Sequence, residues 1–195
     1  MSKQVFRRKC VILTFLSFCL FVKSGLAQAS NFEVTSPVLK PGGTVPKQQL
    51  LDTCGGENIS PPLRWFSSTQ KAKGSPLGMS KGFAVSMFDL DAPTGKGWWH
   101  WLLVNLPAST RELPAGAGTD TGNFPAQCRN DYGQIGYGGP CPPQGAQHRY
   151  VITVYALDVA KLSIKAGDSA RKAFADVKSH AIGVASMTVV YRSEN

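Results

Sequence analysis

Residues 108–145 are dominated by Gly, Pro, Asn and Asp, and no periodic apolar pattern runs through them. Gly and Pro at that density interrupt helix and strand alike. A stretch of this length inside a compact domain is functional or wraps the core as irregular backbone. The core must therefore come from the shorter apolar runs on either side, and those runs alternate. Residues 82–90 place Phe83, Val85 and Met87 on one face, as a strand does. Residues 149–157 set Tyr150, Ile152, Val154 and Ala156 against Val151, Thr153 and Tyr155, which reads as a strand buried on both faces. Residues 98–106 form an unusually aromatic strand, 32–36 and 63–65 short ones, and 185–192 a last one. Only residues 168–181 have helical spacing, with Ala170, Phe174, Val177 and Ala181 on one face. Asp168 or Ser169 can cap that helix and Gly183 can end it. Strands joined by turns rather than helices pair antiparallel. The expected architecture is mainly β: antiparallel sheets with one late α-helix.

The N-terminus does not belong to that architecture. Lys3, Arg7, Arg8 and Lys9 precede an apolar run from Val11 to Val22, and Ala27-Gln28-Ala29 offers small residues where a signal peptidase cuts. The apolar run is well short of the roughly 20 residues a membrane span needs. The expectation is a cleaved signal peptide over residues 1–29, a single domain over 30–195, and an exported protein, periplasmic or secreted, that does not span the membrane.

The leader also explains the charge. The chain carries a formal +9, but five basic residues (Lys3, Arg7, Arg8, Lys9 and Lys23) and no acid lie in the leader, leaving +4 for the domain. The domain has no basic run and no nucleic-acid motif, so a nucleic-acid partner is not expected. It keeps Cys54, Cys128 and Cys141, an odd count that leaves one thiol free or paired between chains. Their spacing matches no zinc pattern, and neither a metal nor a cofactor is expected.

Three clusters could carry chemistry. Asp89 and Asp91, one residue apart at the end of a strand, point to one side and need a donor or cation between them. Trp98-Trp99-His100-Trp101 concentrates aromatic surface around one imidazole; strict alternation puts His100 on the face opposite both Trp99 and Trp101. Gly138-Gly139-Pro140 lies in a loop whose amides can face an anion, and His148 and Tyr150 share a strand face. Each also has an ordinary structural role: Asp in a turn, Trp in a core, a satisfied His on a strand. No Ser-His-Asp triad or phosphate-binding Walker loop can be assembled from the spacing.

Asp89-x-Asp91-Ala92-Pro93, followed by His100-Trp101 and Asn105-x-Pro107, resembles the first conserved motif of the phosphatidylethanolamine-binding protein family. Gly145-x-x-His148-Arg149-Tyr150 with Val154-x-Ala156-Leu157 resembles the second, and Asn58-Ile59-Ser60-Pro61-Pro62-Leu63-x-Trp65 resembles its early loop. Pro93-Thr94-Gly95-x-Gly97-Trp98-Trp99-His100-Trp101 and Tyr137-Gly138-Gly139-Pro140-Cys141-Pro142-Pro143 are similar to the bacterial Raf-kinase-inhibitor-like branch. Leu90 stands where the family usually has Pro, and Cys128 where the bacterial branch has Gly.

The resemblance implies a β-sandwich of antiparallel sheets with a small pocket that takes phosphate-like anions or phosphorylated phospholipid head groups. Carried over position by position, its lining is Asp89, Asp91, His100, His148 and Tyr150, with Gly138, Gly139 and Pro140 supplying backbone. Mammalian relatives add a C-terminal helix beside the pocket, so this one is expected to be more open. The resemblance further implies a disulfide between Cys54 and Cys141, leaving Cys128 free. The expected role is that of a binding module rather than an enzyme. Alternatives are an inhibitor of a protease or another protein target, and a hydrolase using His100 or His148 as base, which lacks an evident nucleophile. A homodimer is a further expectation.

Overall fold

The computed structural model describes residues 32–67, 75–119 and 122–194. The expected leader and the domain start at Ser30 lie outside them. Among the described residues eight strands follow in order: β1 Phe32–Thr35, β2 Leu63–Ser67, β3 Gly82–Asp89, β4 Trp98–Pro107, β5 Glu112–Leu113, β6 Ala126–Gln127, β7 Gln147–Leu157 and β8 Ala181–Arg192. They form two antiparallel sheets, β1-β2-β5 and β6-β4-β3-β7-β8. Helix α1, Pro76–Met79, follows β2, and helix α2, Ala170–His180, precedes β8. The short α1 sits in a polar stretch that shows no helical pattern; Ser75 caps it by accepting from the Gly78 N–H.

Alternation along the central strands divides the apolar residues between two cores. Phe83, Val85 and Met87 of β3 and Tyr150, Ile152 and Val154 of β7 face the small sheet and pack with Phe32, Trp65 and Trp101. Ala84, Leu102, Val104, Tyr155 and Leu157 face the other way, toward Ala170, Ala173 and Val177 of α2. Phe174 covers the edge of that second core, with its ring centroid 4.6 Å from Trp99 and 5.7 Å from Tyr155. Burying α2 in this way supplies the stability that an isolated helix of its length lacks.

The expected ends of α2 differ from those observed. Ser169 is the N-cap residue but its side chain makes no capping bond, and the Asp168 carboxylate accepts from the Lys165 N–H instead. Gly183 does not end the helix. The chain turns into β8 directly at Ala181, and Gly183 pairs with Ala156 inside that strand. A side chain there would collide with Pro76 of α1, so tertiary contact rather than helix termination requires the glycine.

A disulfide joins Cys54 to Cys141, 87 residues apart, and Cys128 is free and fully buried. Burial, followed by the nearby Asp168 carboxylate, pushes the Cys128 thiol up to about 12. The thiolate is the reactive species, so iodoacetamide at pH 8 should leave Cys128 unmodified in native protein and alkylate it in urea. Rapid labelling of Cys128 by mass spectrometry under native conditions would show that this core opens.

Candidate functional site

The site forms where β3, β4 and β7 lie side by side. Asp89 ends β3 and pairs with Tyr150 of β7 and Trp98 of β4. Between β3 and β4 the register slips by one: Met87 faces Trp101 and Phe88 faces Trp99, leaving His100 as the extra residue of a β-bulge. The bulge breaks the alternation expected there. Trp99 packs toward α2, whereas Trp101 joins the inter-sheet core on the same side as His100. His100 is thereby turned toward Tyr150, at a ring separation of 5.1 Å.

Asp89 is the centre of the cluster and only 3% exposed. Its Oδ2 accepts from Nδ1 of His148 at 2.7 Å and lies 3.9 Å from Nε2 of His100; its Oδ1 accepts from the Asp91 N–H at 2.8 Å. Burial pushes this carboxyl up. The imidazoles of His100 and His148 and the Asp91 N–H together outweigh that and hold it below its ordinary value. Nδ1 of His100 donates to the Gly138 carbonyl at 2.6 Å, while the Gly138 N–H donates to the His100 carbonyl at 2.8 Å. This reciprocal pair locks the imidazole to the Gly138-Gly139-Pro140 loop.

The loop is fastened from behind. The Gly139 N–H donates to Oδ1 of Asn58, the Gly139 carbonyl accepts from the Tyr132 hydroxyl, and the Pro140 carbonyl accepts from the Leu51 N–H. A side chain at Gly139 would collide with the backbone of Gln49 and Leu50. Both glycine amides are thus engaged within the protein and are not turned outward as anion donors; these residues position His100 and Tyr132.

Asp91 takes Arg149 as its hydrogen-bond partner. Its carboxylate accepts from the backbone N–H, Nε and Nη2 of Arg149 at 2.6–2.8 Å, and that guanidinium first, ahead of the opposing effect of burial, holds it down to about 2. Asp89 and Asp91 avoid mutual repulsion by taking separate partners: the imidazoles for one, Arg149 for the other.

Tyr150 is 0% exposed and its hydroxyl has no hydrogen-bond partner. A buried hydroxyl left unpaired is rare enough to need a reason. Nε1 of Trp98 is buried and unpartnered as well. Trp98 lies edge-on to Tyr132 at 5.4 Å, and Tyr132 edge-on to His100 at 5.3 Å. Trp98 and Tyr132 complete the aromatic wall, and reading the sequence did not assign either to the site. Trp98 carried a signal, two positions before His100. Tyr132 carried none, since it comes from an irregular loop that Asp131 anchors to the Trp99 N–H and to Arg171 of α2. Among the described residues no group of three or more His, Cys, Asp or Glu side chains is arranged to hold a metal ion.

A model of the phosphatidylethanolamine-binding protein family matches residues 35–192. The chain belongs to the phosphatidylethanolamine-binding protein family. YbhB of Escherichia coli K12 is 40% identical over 158 residues, which cover 78% of this chain and 95% of YbhB. YbcL of the same organism is 38% identical over 188 residues, 93% of this chain and 96% of YbcL. The crystal structure of YbcL, described as a member of the mammalian family, superposes with a TM-score of 0.74 at 37% identity, covering 83% of this chain and 98% of that one. A family homologue from Chlamydia trachomatis superposes at 0.67 with 30% identity, covering 84% and 99%. This protein thus falls in the bacterial branch of the family, and its two antiparallel sheets are the family's fold.

Proposed function

We propose that this family member is an exported, non-enzymatic module that binds a phosphate-like anion or a phosphorylated head group at the Asp89–His100–His148–Tyr150 cluster. The observation that carries the reading is the Tyr150 hydroxyl, fully buried and unpaired beside two imidazoles. A small ligand rich in oxygen acceptors satisfies it. Each imidazole commits Nδ1 to the protein, which leaves its Nε2 for a ligand. Among the described residues no helix is long and apolar enough to cross a membrane.

The test is a titration of the protein with inorganic phosphate and with phosphoethanolamine, followed by NMR of the two imidazoles. Both His100 and His148 resonances should move and saturate together with each ligand. Saturable shifts elsewhere, with both imidazoles unmoved, would place the ligand at another site. Phosphoethanolamine well ahead of phosphate would favour a head group over a free anion.

A further inference from the structure

We infer that this site captures an anion together with a proton, so that binding of a fully ionised ligand draws one proton onto the His100–His148 pair. The inference rests on the anion-binding reading above. The Gly138 carbonyl can only accept, so the proton on His100 sits on Nδ1 and its Nε2 is a bare lone pair in the neutral ring. Asp89 accepts from the Asp91 N–H on Oδ1 and faces Nδ1 of His148 with Oδ2 at 2.7 Å; a carboxylate can only accept, so His148 likewise carries its proton on Nδ1 and, in the neutral ring, leaves Nε2 bare. In the neutral state the two imidazoles therefore offer acceptors, and the Asp89 carboxylate adds a full negative charge 3.9 Å from Nε2 of His100. A phosphate oxygen entering there would meet lone pairs and a carboxylate.

The other groups facing the pair do not remedy this. From β7, Tyr150 offers one hydroxyl donor; from the 129–132 loop, the Tyr132 hydroxyl is already given to Gly139. Burial, followed by the Asp89 charge, pushes both phenols up, so they stay neutral. From β4, Trp98 offers a neutral indole N–H. From β8, Tyr191 is the cross-strand neighbour of His148. The nearby cation, Arg149, is turned outward onto Asp91. One added proton converts an Nε2 from acceptor to donor and cancels the charge of Asp89. The balance is site plus ligand anion plus one proton giving a complex in which the imidazolium donates to the anion.

Sulfate discriminates, because it holds no proton near neutral pH, whereas phosphate can bring its own. Calorimetry with sulfate and phosphate at pH 6, 7 and 8, in two buffers of different ionisation heat, reads the linkage. Sulfate should bind with uptake of about one proton, and its affinity should fall as pH rises from 6 to 8, by up to about tenfold per pH unit. Nε2 of His100 or His148 should change to a protonated 15N signature when sulfate is added. Sulfate bound equally well at pH 6 and 8 with no buffer-dependent heat would overturn the inference and leave the binding site standing. Phosphate bound at pH 6 with sulfate refused would also overturn it, since the proton would then come only with the ligand. Neither anion bound at any of these pH values would remove the binding reading and this inference with it.

Discussion

His148→Ala should weaken phosphate binding by roughly 10- to 100-fold and leave the protein folded. One ligand donor disappears, and a hydrogen bond to a charged partner contributes about 1.5–3 kcal/mol. The change also strips Asp89 of its 2.7 Å donor while leaving the carboxylate 3% exposed. An underpaired buried group of this kind costs about 1–3 kcal/mol. The acid limb of stability should report the same event. The folded-state Asp89 lies below its ordinary 3.8, so it contributes stability above that value and loses it as pH falls through the folded-state value. Removing the His148 bond raises the folded-state value and shrinks that contribution, so the variant should be less stable than the parent at neutral pH and lose less as pH falls below 3.8, the two converging in acid. Calorimetry and urea melts between pH 3 and 8 measure both. Unchanged phosphate affinity in folded His148→Ala protein would sink the site assignment.

Removing the Cys54–Cys141 bond should be the largest single loss of stability available without touching the core. The bond closes a loop of 87 residues that includes β2 to β6. Constraining the unfolded chain over such a span is worth about 4–5 kcal/mol in the simplest model, and measured bonds more often contribute 2–4. For a domain of this size each kcal/mol moves Tm by about 2–4 °C, so Cys54→Ser with Cys141→Ser should melt roughly 5–15 °C lower. Cys141 follows Pro140 directly and Cys54 closes the turn Asp52–Cys54, so the bond also pins the loop that holds His100. The double variant should therefore bind phosphate more weakly as well. Equal melting temperatures with and without the bond, with the crosslinked peptide demonstrated in the parent, would mean the loop is already ordered when unfolded.

The longer strands and helix α2 were legible in the sequence because side-chain alternation and helical spacing are consequences of burial, and both cores are built on them; the two-residue β5 and β6 and the four-residue α1 are too short to show either period. Asp89, His100, His148 and Tyr150 were legible because two family motifs bracket them, and the structure brings those four together. What could not be read is what neighbours impose. Nothing in Trp98-Trp99-His100-Trp101 announces an extra residue, since the slip exists only relative to β3. Gly183 follows a helical run and looks like its end; only the approach of Pro76 explains it. That Asp91 pairs with Arg149, 58 positions later in sequence, could not be read from its own neighbours. Tyr132 depends on an irregular loop whose path is set by Asp131, Trp99 and Arg171.

The order of strands across the large sheet has a kinetic consequence. β3 finds β4 close by in sequence, but its other neighbour is β7, and the Asp89–His148 bond spans 59 positions. Contacts of such separation form late, because loop closure must precede any gain from pairing. A chain still emerging from a ribosome can pair β3 with β4 while Asp89 is unmatched, and the carboxylate acquires the His148 imidazole only once β7 docks. The Asp89–His148 pair is therefore among the last parts of the molecule to form, and under the proposed function a partly folded chain that lacks β7 would not hold the ligand.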